Sequence, residues 1–213
     1  MTVSIADVYE HHSLVIASDF RVPDPAAMRP VLQRLEGALA ELGTHHVLTY
    51  RSTREHGRVL VMLGVHNHEP IVEVMRSHVF LEWFDEVGVR DIPAVFAGEI
   101  VARLDVADLP APPRPAVLVS AIVPVADIAF LTGQLRGAAA RFAQAGVHTV
   151  WVFRSFDDPQ EAMILQEIDD EASARRWIEH PDAAAVWMRN AGVGVYPPLF
   201  VGEFDSLLRI DSA

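Results

Sequence analysis

Apolar residues along this chain recur with two periods, and the order in which the periods alternate predicts an α+β fold. Leu14 to Val22 reads as a strand. Pro23-Asp24-Pro25 then opens a helix, with Asp24 as N-cap and Pro25 at the first helical position. Met28, Val31, Leu32, Leu35, Leu39 and Leu42 follow at spacings of three and four, the apolar stripe of an amphipathic helix, and Gly43 ends it. His45 to Ser52 is a second strand, Glu55-His56-Gly57 a turn, and Arg58 to His66 a third strand. A second helix spans 69–84, with Ile71, Val74, Met75, Val79 and Phe84 on its buried side. Gly88 follows it, and Ala94 to Arg103 is a fourth strand. The order is β-α-β-β-α-β.

The same order is then written again. Gly43-Thr-His45-His-Val47 with Tyr50-Arg51-Ser52 returns 103 residues later as Gly146-Val-His148-Thr-Val150 with Phe153-Arg154-Ser155. Trp83, Gly88-Val89 and Pro93-x-x-Phe96-x-Gly98-Glu99 return 104 residues later as Trp187, Gly192-Val193 and Pro197-x-x-Phe200-x-Gly202-Glu203. The second copy is expected to hold strands at 117–123, 147–155, 161–169 and 198–205 and helices at 125–145 and 171–190. Residues 1–104 form the first repeat, with 1–12 a polar lead-in, and 116–213 form the second. Between them, 105–115 contains Leu109-Pro-Ala-Pro-Pro-Arg-Pro115, a composition that favours an extended polyproline II spacer.

A β-α-β-β-α-β repeat is the split βαβ, ferredoxin-like plan, an antiparallel sheet with two helices on one face. The other face must also be covered. Strict alternation puts His45, Val47, Thr49 and Arg51 on one side of the second strand and His46, Leu48 and Tyr50 on the other; neither set reads as fully solvated. The expectation is two tandem repeats packed sheet to sheet as an intrachain pseudo-dimeric α/β barrel.

Composition narrows the chemistry. The net charge is −12, so attraction to phosphate backbones or anionic lipid is disfavoured and no nucleic-acid or membrane partner is expected. All 17 basic residues are arginine; without lysine there is neither a Schiff base nor a Walker-type phosphate loop. The absence of cysteine removes disulfides, thiolate metal sites, iron–sulfur clusters and cysteine nucleophiles together. Residues 1–12 lack the pattern of a signal peptide, and no apolar run reaches the ~18–20 residues of a membrane span. A soluble, cytoplasmic protein is expected, and a homo-oligomer is compatible with the sequence.

With these repeats in place, the chain resembles the dimeric α/β-barrel superfamily, in particular the branch of antibiotic-biosynthesis-type monooxygenase domains. The segment Glu171-Ala-Ser-Ala-Arg175-Arg-Trp177-Ile-Glu-His180-Pro-Asp-Ala-Ala-Ala-Val-Trp187 is similar to that branch's second helix. The resemblance implies a barrel closed within one chain. Activities among relatives include cofactor-free oxygenation of electron-rich aromatics, haem breakdown, dechlorination and isomerisation, and fold alone does not choose among them. Haem-degrading relatives carry an asparagine on the first strand, and a tryptophan followed by a histidine on the second helix. Here the first strand has Ser18 and Asp19, or Ala121 and Ile122, and His78 precedes Trp83 as His180 precedes Trp187. This departure counts against haem degradation.

The candidate residues follow from asymmetry between the copies. The first has Asp19, His46, Tyr50 and His66 where the second has Ile122, Thr149, Phe153 and Asp169. If one pocket between sheet and helices works, the first copy is the better candidate: His46 removes a proton from a phenolic substrate, Tyr50 orients it, and Trp83 walls the pocket. Arg51 completes the catalytic set because an arginine can hold an anionic oxygen intermediate; its structural alternative is an ion pair with Glu99 or Glu203. His78 and Asp19 join Trp83 as substrate-binding candidates. His45 and His148 are equivalent and read more readily as packing residues.

His66-Asn67-His68 has metal-ligand spacing, but a solvated turn before a helix is favoured, and neither metal nor cofactor is expected. No nucleophile elbow or dinucleotide motif is present. Two function classes remain. One is a cofactor-independent monooxygenase-like enzyme acting on a hydrophobic or phenolic small molecule. The other is a non-catalytic ligand-binding or assembly protein of the same fold.

Overall fold

The computed structural model describes residues 14–65, 78–89, 91–106, 117–179, 190 and 199–210. The lead-in, the His66–His68 motif, the start of the first copy's second helix, most of the proline-rich segment, and His180 and Trp187 lie outside them.

The fold is α+β. The strands are β1 (Leu14–Arg21), β2 (Thr44–Ser52), β3 (Arg58–Val65), β4 (Ala94–Asp105), β5 (Val117–Pro124), β6 (Val147–Ser155), β7 (Glu161–Ile168) and β8 (Phe200–Arg209). The helices are α1 (Met28–Arg34), α2 (Glu36–Glu41), α3 (His78–Val87), α4 (Ile128–Gly137), α5 (Ala139–Ala145) and α6 (Glu171–Glu179). Two compact units emerge: unit 1 is Met1–Glu99 with Asp205–Ala213, and unit 2 is Ile100–Phe204.

In unit 1 the hydrogen-bonded order is β4-β1-β3-β2, the ferredoxin-like order, and the last residues of β8 continue it beyond β2. The β1/β3, β1/β4 and β2/β3 ladders are antiparallel. Unit 2 repeats the order as β8-β5-β7-β6, continued by the second half of β4. The two continuations end alike: the N–H of Ile210 donates to the carbonyl of His45 at 2.9 Å, and that of Val106 to the carbonyl of His148 at 2.8 Å. Both strands outrun the sequence expectation, which ended them at Arg103 and residue 205. Residues 100–105 are mostly half-exposed and carry little hydrophobic periodicity, so their pairing is invisible along the chain.

The local rules that form these elements operate twice. Asp24 and Asp127 cap the first helical turn of each copy, accepting from Ala26 N–H at 2.9 Å and Phe130 N–H at 2.7 Å. Each first helix is interrupted once, at Leu35 and at Ala138, while the ladder continues through Leu39 N–H to Leu35 C=O and Phe142 N–H to Ala138 C=O. Gly146 closes α5 at φ 77°, a left-handed conformation that glycine adopts without steric cost. Ser52 and Ser155, the repeated serines after arginine, are turn formers. Each hydroxyl accepts from the N–H groups two and three residues on, at 3.0–3.3 Å.

One face of each sheet packs on helices. In unit 1, Phe20 meets Trp83 and Phe84 edge-on at 5.3 and 5.2 Å, above the apolar residues Met28, Val31, Leu32 and Leu39. In unit 2, Leu131, Leu135, Phe142, Ala174 and Trp177 cover Val119, Val150, Val152 and Ile164. The opposite face is buried too: Leu48, Tyr50, Leu60, Met62 and Phe96 in unit 1, and Trp151, Phe153, Met163 and Leu165 in unit 2, are each at most 2% exposed.

Candidate functional site in unit 1

The site begins with a fault in a ladder. The β2/β3 register shifts between Thr44 and His46, leaving His45 as the extra residue of a β-bulge. An extra residue breaks the two-residue alternation, so His45 joins His46 on one side of the strand and does not share a side with Val47. The strict alternation expected from sequence fails here. Both rings lie over Gly64, the Cα partner of His46. A Cβ at Gly64 would stand 2.5 Å from His45 Cε1 and 2.6 Å from His46 Nδ1, so only glycine leaves room for the pair.

The two rings are tilted by 50°, and Nδ1 of His45 is 2.7 Å from Nδ1 of His46. One Nδ1 must donate and the other accept. The donating ring then has its lone pair on Nε2, which is the nitrogen left to accept a proton. Both residues are buried, at 9% and 5% exposure.

Tyr50 lies on the same face, two pleats beyond His46 and itself buried. Asp19 shares that face across Leu60, the common partner of Asp19 on β1 and Tyr50 on β2. Its carboxylate is engaged: Arg58 Nε donates to Oδ1 at 2.9 Å and Nη2 to Oδ2 at 2.6 Å. This bidentate pairing is the first cause raising the Arg58 guanidinium above its ordinary value, against the opposing effect of burial. Arg58 also bonds Glu55, which in turn bonds Arg21. Burial works to raise the Glu55 carboxyl, but hydrogen bonds and charge from the two arginines outweigh it and hold the group below its usual value.

The structure thus brings His46, Tyr50 and Asp19 to one face and does not bring the remaining candidates to them. Trp83 packs on Phe20, whose row (Phe20, Val59, Arg51) faces the helices, so the sheet separates Trp83 from His46 and Tyr50. Arg51 ends the strand half-exposed and pairs with Asp205 at 2.7 Å, not with Glu99 or Glu203. His78 is exposed at the start of α3, with Nε2 3.3 Å from Glu82 Oε1.

Unit 2 has the same bulge and a different outcome. Its ladder shifts between Val147 and Thr149, and His148 Nε2 stands 2.5 Å from Asp169 Oδ1. Asp169 is seated by its own N–H, which donates to Gly146 C=O at 3.0 Å. Ile122, Thr149 and Phe153 occupy the positions of Asp19, His46 and Tyr50. Sequence reasoning missed Gly64, Arg58 and the pairing role of Asp169. A glycine inside the otherwise large and apolar run Val59–Val65 was the available signal for the first. It also left unread the buried hydroxyls of Ser18 and Thr44, which face the helix side and have no hydrogen-bond partner among the described residues. Among the described residues, no three His, Asp or Glu side chains gather as a metal cage, and no helix is long and apolar enough to cross a membrane.

No protein-family model matches the chain, and no curated protein matches it. Solved structures do. An anthrone oxidase-like protein superposes with a TM-score of 0.67 at 13% identity, over 95% of each chain. A monooxygenase-like protein from Listeria innocua gives 0.51 at 9% identity, over 93% of this chain and 97% of that one. A ferredoxin-fold protein related to antibiotic biosynthesis monooxygenases, from Listeria monocytogenes, gives 0.50 at 9% identity, over 94% and 99%. At these identities the likeness is one of fold, and the fold is that of the monooxygenase-like ferredoxin-fold proteins.

Proposed function

We propose that the protein is a small-molecule enzyme of the cofactor-independent monooxygenase type, working in unit 1 on a hydrophobic, phenolic substrate. The observation that carries this reading is the His45–His46 pair, a buried base on the same sheet face as Tyr50. Four residues of strand separate His46 from Tyr50, about 13 Å between Cα atoms. That span suits a fused-ring aromatic better than a single phenol.

The donating ring's Nε2 takes the proton of an acidic ring position or hydroxyl, and Tyr50 holds the opposite polar end. The resulting anion is electron-rich enough to react with dioxygen directly. A CH2 centre and O2 become C=O and H2O, and the proton first removed returns in the water. A buried, apolar surround (Leu48, Leu60, Met62, Phe96) keeps bulk water from the anion.

Oxygen uptake with anthrone- and naphthol-type compounds tests the reading. His46→Ala should lower turnover by ~10²–10⁴-fold, as loss of a positioned base does, and Tyr50→Phe should raise KM. Unchanged turnover in both variants would overturn it. The second reading, a non-catalytic ligand-binding or assembly protein, draws support from the ion pairs that already engage Asp19 and Arg51.

A further inference from the structure

We infer that the His45–His46 pair is also a chelating site for a divalent transition metal that prefers imidazole nitrogen and planar coordination, copper(II) or nickel(II). The inference rests on the geometry of the pair and does not require the catalytic reading.

Adjacent residues of a regular strand point to opposite faces and cannot chelate one ion. The bulge removes that obstacle, and the missing side chain of Gly64 provides the room. The two Nδ1 atoms then stand 2.7 Å apart. Two imidazole nitrogens in cis positions of a square-planar ion are separated by about 2.8–2.9 Å at bond lengths near 2.0 Å, against about 3.3 Å at a tetrahedral ion. The separation needs to grow by only a tenth or two of an ångström for the planar case, with each ring turning so that its lone pair meets the ion instead of the other nitrogen, and by more than half an ångström for tetrahedral zinc. A metal ion would replace the shared proton, releasing it to solvent.

The backbone is set in advance. The carbonyl of His45 is fixed by Ile210 N–H at 2.9 Å, so little ordering remains when the ion arrives. Both rings are buried, so their nitrogens are shielded from the bulk water that would compete for the ion. Unit 2 supplies an internal control. It keeps one histidine at the bulge, and Asp169 holds the Nε2 of that ring.

The test is titration of the metal-free full chain with copper(II), read by visible absorption and by electron paramagnetic resonance. One equivalent per chain with hyperfine coupling to two imidazole nitrogens is expected. His45→Gln and His46→Gln should each weaken binding at least tenfold, and His148→Gln should leave it unchanged. Equal affinity and an unchanged spectrum in the first two variants would overturn the site. If those variants fail to fold by far-ultraviolet circular dichroism, the wild type decides through ¹⁵N-histidine NMR with palladium(II), a diamagnetic ion of planar coordination. Two Nδ1 signals moving together by one equivalent support the pair as ligands, and no such movement overturns it. Copper binding without oxygen uptake keeps this inference and removes the catalytic one; turnover without copper binding does the reverse.

Discussion

Nε2 of His148 stands 2.5 Å from Oδ1 of Asp169, a contact that ties the bulge of β6 to the residue just past β7. In the first copy the histidine is retained but its described partner is the adjacent His46. One repeated position has therefore settled into two different proton-sharing pairs. The acidic pair joins two strands, whereas the histidine pair is local to one.

The first prediction concerns this cross-strand pair. Asp169→Ala should destabilise the protein by about 1–2 kcal/mol, at the modest end for a charged hydrogen bond because the carboxylate is partly exposed. Urea denaturation measures it, and a midpoint unchanged from wild type would show the pair to be energetically idle.

Gly64→Ala should cost about 1–3 kcal/mol, because the new methyl group overlaps both histidine rings. Gly133→Ala, in α4, meets nothing within 4 Å and should instead stabilise by about 0.5–1 kcal/mol. Thermal melts of the two variants should move in opposite directions.

Arg58→Met leaves Asp19 half-buried without its bidentate partner. A loss of about 2–3 kcal/mol is expected, below the range of fully buried pairs because both side chains retain some solvent contact. Replacing Asp19 by Ile together with Arg58→Met, after Ile122 of unit 2, should recover part of the loss. If the double variant is no better than the single one, charge balance is not the cause.

Acid should weaken the fold through named carboxylates. Glu55 is held below its ordinary value by the arginines despite burial, and Asp170 by hydrogen bonds from Ser173, with N–H to Oδ1 at 2.7 Å, as the cap of α6. A depressed folded-state value means the stabilisation is complete above the unfolded values, about 4.3 for Glu and 3.9 for Asp. It disappears as pH falls through the folded ones. Stability measured from pH 6 to pH 3 should fall less steeply in Glu55→Gln and Asp170→Asn than in wild type.

Ser18→Ala should be neutral or stabilise by up to about 1 kcal/mol, since it removes a buried hydroxyl that has no partner among the described residues. Unit 2 already carries Ala121 at that position. A clear loss of stability would show that the hydroxyl is satisfied in solution.

The strands, the first helix of each copy and their order were legible in the sequence because amphipathic periods and end signals agree there. Asp24 and Gly43 act locally, and local rules can be read residue by residue. The bulge could not be read, because a single extra residue at His45 leaves no mark in a pattern of period two. Trp83 and His46 looked like neighbours because alternation says which residues share a face but not which face the helices cover. Phe20 settles that, through ring contacts that no spacing encodes. Arg58 was overlooked because its value lies in reaching Asp19 on another strand.

The division of β8 has a consequence for how the molecule is assembled. Unit 2 is one uninterrupted stretch of chain, whereas unit 1 takes its last strand segment from residues that follow the whole of unit 2. During synthesis the second repeat therefore has all its pieces before the first does. The older half of the polypeptide must wait, with the outer edge of β2 uncovered, until residues 205–209 emerge. Severing the chain between the repeats would leave that edge open in the first fragment, and such a fragment would be prone to self-association.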